Sequence, residues 1–158
     1  MKTIKLIITT FAVALFLTSC DDLDLDNLLK DVQSGKMVVV VDNGSEEIID
    51  CTFQNFGEWT GEVFITGSSG TASSEKFVNF MYGHYENTVE FTKRTYKSNE
   101  EFFTVYSSWG EPTDTEIVSV TVTERTDTAI KGYFSGKVDS KSGVKDFKGA
   151  FWATPAQN

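Results

Sequence analysis

Histidine occurs once in 158 residues, and proline and cysteine occur twice each. The lone His84 has no second His or Cys nearby, which leaves no ligand set for a metal centre and argues against a Cys–His nucleophilic couple. No G-x-S-x-G, H-E-x-x-H or phosphate-binding loop is present. Proline, confined to positions 112 and 155, leaves long stretches of chain free to pair as strands. Basic residues are also short, 14 against 23 acids for a net charge of −9. That balance excludes a nucleic-acid partner, which needs clustered Lys and Arg, and it opposes contact of the folded domain with anionic headgroups. No cofactor and no metal are expected.

A long apolar run is lacking too. The longest, Leu6 to Leu17, holds about 12 residues, reaching roughly 18 Å as a helix, short of the roughly 30 Å hydrocarbon core. It follows Lys2 and Lys5 and ends in Leu17-Thr18-Ser19-Cys20, the layout of a secretory signal peptide. The small residues ahead of Cys20 resemble the lipobox of bacterial lipoproteins. That resemblance implies that the Cys20 thiol is acylated and the chain cut before it, which would leave Cys51 without a disulfide partner. Two or more acyl chains hold a small protein on a membrane stably, whereas one is marginal. Asp21 and Asp22 follow at once. An acidic pair in this place resembles the surface-export signal of Bacteroidetes lipoproteins; alternatively these acids, with Asp24 and Asp26, form a solvated tether. The Asp22, Asp24, Asp26 spacing also resembles the start of an EF-hand loop, but Asn27 and Gln33 stand where its Gly and Glu belong. The expected organisation is a leader over 1–19, an acidic tether over 20–35 and one β domain over 36–158. "DDLDLDNLLKDVQ" is the one short helix candidate.

What the chain does have is strand pattern. "KMVVVVD", "EEIIDCTF", "GEVFITG", "KFVNFMYGH", "NTVEFTKRTY" and "EFFTVYSSW" read as six strands, and "DNGS" as a hairpin turn in which Asn-Gly takes the positive φ of a type I′ turn. Three more follow. Val118, Val120 and Val122 share one face, as do Ile130, Phe134 and Val138, while Phe147 and Phe151 alternate with Lys148. These seven apolar residues other than Val138 are the expected core, with Cys51 as a small buried hydrophobe. Nine antiparallel strands predict an all-β domain, a sandwich first and a lipocalin-like up-and-down barrel as the alternative.

The closing meander carries a resemblance. Gly132, Phe134, Ser135, Gly136, Lys148, Gly149 and Phe151 match the "G-x-F-S-G" and "K-G-x-F" strands that end small Bacteroidetes lipoproteins of the DUF6252 type. The likeness covers about the last quarter of the chain and the leader. It implies an all-β lipoprotein of the outer membrane, at the cell surface or the periplasmic face, and brings no activity with it.

Aromatic residues are abundant. Trp109 sits beside Gly110 and Trp59 lies between Gly57 and Gly61, both at strand ends, and Tyr82 and Tyr85 flank a turn. Exposed at loop tips, these four would stack on sugar rings or anchor a protein. Adjacent acids, Glu46-Glu47 and Glu100-Glu101, point to opposite faces of a strand and make no acid–base couple. The sequence therefore predicts a non-enzymatic, membrane-anchored envelope module that binds a glycan or protein or supports an assembly. A carrier of a hydrophobic ligand and a carboxylate-dependent glycan hydrolase are the alternatives.

Overall fold

The computed structural model describes residues 24–55, 63–69, 75–83 and 91–157. Cys20, Asp21, Asp22, Trp59, His84 and Tyr85 lie outside the described residues. The chain runs α1 (Leu25–Asp31), β1 (Lys36–Val41), β2 (Glu47–Asn55), β3 (Val63–Ser69), β4 (Lys76–Tyr82), β5 (Thr95–Lys97), β6 (Phe103–Ser107), β7 (Val118–Arg125), β8 (Ile130–Ser140) and β9 (Gly143–Pro155). The all-β expectation holds. The strands form one sheet in the order β5-β7-β8-β9-β1-β2-β3-β4-β6.

That sheet curls into a nearly closed barrel, so of the two arrangements expected it is the barrel that is seen; two stacked sheets do not form among the described residues. Phe80 of β4 packs on Phe134 of β8 and Phe151 of β9 at 5.3 and 5.7 Å between ring centroids. Those strands stand far apart in the sheet order, so contact between their rings requires the sheet to wrap round. Its two edges meet by side chain, Tyr96 of β5 with Phe103 of β6 at 5.4 Å. Between them the bridge Glu111↔Asp139 ties the chain after β6 to β8.

Glycine lets the C-terminal strands pack this tightly. Across β8 and β9 the register sets Gly132 against Phe151, Phe134 against Gly149, and Gly136 against Phe147. A Cβ on Gly132 would fall 2.7 Å from the Phe151 ring, and one on Gly149 would fall 2.6 Å from the Phe134 ring. Each ring lies over the bare backbone of its neighbour. This accounts physically for the alternation of Gly and Phe in the meander. Val118, Val120, Val122, Ile130, Phe134, Phe147 and Phe151 are all buried, as is Cys51.

The run "MVVVV" is not alternating because β1 is buried on both faces. Met37 and Val39 join the barrel core, while Val38 faces outward beneath α1. Here the expected tether gives way to structure. Leu25, Leu28, Leu29 and Val32, spaced i, i+3, i+4, i+7, form the apolar stripe of a helix that covers Val38, Ala150, Tyr133 and Trp152. Asp24 caps it, accepting from the Asp26 N–H at 3.0 Å. Part of the stretch expected as a tether is therefore helix packed on the barrel wall. The hairpin after β1 also differs by one residue: Asp42 and Asn43 take the positive φ values, 51° and 54°, and the Gly44 N–H donates to the Val41 carbonyl at 2.8 Å.

Candidate functional site: an open cleft at the barrel mouth

Where β6 ends, the chain makes a tight turn through Ser108, Trp109 and Gly110. The Ser107 hydroxyl donates to the Gly110 carbonyl at 2.6 Å. Gly110 has φ +149°, and a Cβ there would lie 2.5 Å from the Asp139 carbonyl oxygen, so the turn can press on β8 only with glycine in that place. Reciprocal backbone bonds then fasten it: Glu111 N–H to the Asp139 carbonyl at 3.0 Å, and Asp139 N–H to the Glu111 carbonyl at 2.8 Å. The β8–β9 hairpin closes beside it, with the Ser140 hydroxyl donating to the Gly143 carbonyl at 2.8 Å.

Between the turn and the hairpin lies an open cleft of about 720 Å³. The β6 side supplies Ser107, Ser108, Trp109 and Glu111; the hairpin side supplies Asp139, Ser140, Lys141, Ser142 and Lys145. Trp109 is half-buried. Its ring packs on Phe147 at 6.3 Å, which ties the cleft to the core, and the Lys76 ammonium lies 5.8 Å from its centroid. Lys76 is itself paired with Glu47. The result is an indole held in place by its neighbours and ringed by hydroxyl, carboxylate and ammonium groups.

The opposite end of the barrel holds a correction. Tyr82 was expected at an exposed turn; it is buried, 4% exposed. Strand parity is the reason, since it follows Val78 and Phe80 on the inward side of β4. Its ring meets Phe91 at 5.5 Å and Tyr96 at 4.9 Å, and Arg94 lies across Tyr96 at 4.1 Å while pairing with Glu100 at 3.2 Å. Tyr82 therefore packs the barrel end and offers no face to a ligand. Trp109 is the one member of the expected aromatic set that the described residues place at a cleft. Sequence reasoning passed over Lys141, Lys145 and the serines around it, because "DSKSG" reads only as a polar turn.

Neither adjacent acid pair lies at the cleft. Glu47 and Glu100 are held in the ion pairs just described. Burial pushes the Cys51 thiol far above its ordinary pKa, so it stays protonated and is no nucleophile. Among the described residues no group of three or more His, Cys, Asp or Glu is arranged to hold a metal ion. No protein-family model, no curated protein and no solved structure matches the chain.

Proposed function

We propose that this chain is a lipid-anchored, non-enzymatic binding module of the cell envelope, and that it takes a glycan in the mouth cleft against Trp109. The observation that carries this reading is the cleft itself: a fixed indole, backed by Phe147, with serine hydroxyls and charged groups on both sides. An aromatic plate supplies apolar contact to a sugar ring, and the surrounding groups exchange hydrogen bonds with its hydroxyls. Ring packing inside the barrel weighs against the carrier alternative. Phe80 meets Phe134 and Phe151 across the axis, Phe147 packs on Phe134 beside them, and these rings take up space a hydrophobic ligand would need.

The test is a glycan array followed by titration calorimetry on the purified mature protein. Binding should be detected, and Trp109→Ala should weaken it by roughly tenfold or more while the circular dichroism spectrum stays that of the parent. Unchanged affinity in Trp109→Ala would place the ligand elsewhere and end this reading.

A further inference from the structure

Resting on that reading of the cleft, we infer that its ligand is an anionic saccharide, whose charged group is met by Lys145 while its ring lies on Trp109. Four lysines of the described chain are half-buried: Lys36, Lys131, Lys145 and Lys148. Three have partners. Lys36 pairs with Asp50, Lys131 with Glu124 at 3.0 Å, and Lys148 donates to the Asn43 side chain at 2.9 Å. Lys145 has none among the described residues, in a chain where acids outnumber bases 23 to 14. An anion beside an unpartnered ammonium forms a charge-assisted hydrogen bond.

The placement fits that role. Along β9, Lys145 has the parity of Phe147, Gly149 and Phe151, so it lies on the inner side of the strand at the barrel mouth, opposite Val138. Asp139 has the other parity. It is exposed next to buried Val138, and its carbonyl, which accepts from Glu111, is the part that braces the cleft. In the lining, Lys145 and the hairpin's Lys141 stand beside Glu111 and Asp139, which are bridged to each other through their backbones and form an ion pair with neither lysine. The lining is charge-balanced within an acidic protein, so it repels an anion less than the rest of the surface does. Uronate and sulfate groups share this chemistry.

The experiment titrates the mature protein with oligogalacturonides, with heparin-derived oligosaccharides, and with neutral oligosaccharides of matched length. An anionic series should bind at least about tenfold more tightly than the neutral one, as a charge-assisted bond predicts. That preference should shrink as salt rises from about 0.05 to about 0.5 M. Lys145→Met should abolish the preference, and Lys145→Arg should keep it. The two anionic series tell uronate from sulfate, and a preference for either supports the inference. Neutral ligands binding as tightly as anionic ones, with Trp109→Ala still abolishing binding, would overturn the charge requirement and leave the binding reading standing. A preference that survives Lys145→Met would also overturn it. If no saccharide of any series binds, the inference and the glycan reading fall together.

Discussion

Gly149→Ala should destabilise the barrel far more than its single added methyl suggests. The new Cβ would lie 2.0 Å from the Val38 carbonyl oxygen and 2.6 Å from Phe134 Cζ. Relief requires β1 and β9 to part by about 1 Å and the Phe134 ring to move, and such overpacking costs about 1–3 kcal/mol. Weakening one ladder bond between β1 and β9 adds about 1 kcal/mol. The lower entropy of the unfolded alanine chain offsets about 0.4–1 kcal/mol. The net expectation is a loss of about 2–3 kcal/mol, or about 6–15 °C in Tm for a domain of this size. Urea unfolding followed by tryptophan fluorescence reads it directly. Ser135→Ala, half-exposed on the outer side of β8, serves as the control and should stay within about 0.5 kcal/mol. Phe134→Leu in the Gly149→Ala background removes the ring contact but not the carbonyl contact, so it should recover only part of the loss attributable to crowding. A Gly149→Ala protein as stable as its parent would refute the account of the glycine–phenylalanine register. Complete recovery by Phe134→Leu would show that the backbone contact is not the limit.

Other outcomes follow from the same structure. Leu28→Ala should cost about 2–3 kcal/mol and expose the Trp152 side of the barrel, seen as faster amide exchange in α1 and β9; protection unchanged from the parent would mean the helix is not held by its apolar stripe. Cys51 should resist iodoacetamide in the folded protein at pH 7 to 9 and react once urea unfolds it, because burial keeps the thiol protonated; native-state labelling would contradict that burial. Cys20→Ser should abolish incorporation of labelled fatty acid, and continued labelling would refute the anchor. Asp21→Ala with Asp22→Ala should leave acylation intact but shield the domain from protease added to whole cells. Wild-type protein that already resists that protease, while a surface marker is cut, would assign it to the periplasmic face.

The strands were legible because period-two alternation records one buried face, and every core residue named from Val118 to Phe151 proved buried. Closure into a barrel was not. It depends on which strands meet across the axis, and Phe80 carries no mark of Phe134 in sequence. The helix was legible as the one short candidate, but its docking on the barrel was not, because Leu25, Leu28, Leu29 and Val32 sit among acids that read as a solvated tether. Tyr82 could have been placed by counting back through Phe80 and Val78. Trp109 was found because Gly110 follows it. Lys145 was not, since an unpaired lysine looks the same in sequence as a paired one until the neighbours are in place.

The docking of α1 sets a length. Asp24 caps a helix that is fastened to the barrel wall, and Cys20 stands four residues before it. Four residues, fully extended, span about 14 Å at most. A lipid on Cys20 would therefore hold the barrel on a short leash, pivoting close to the headgroups and unable to roam far from them. The mouth would then stay within about a barrel's length of the bilayer, and a ligand would have to come to it there.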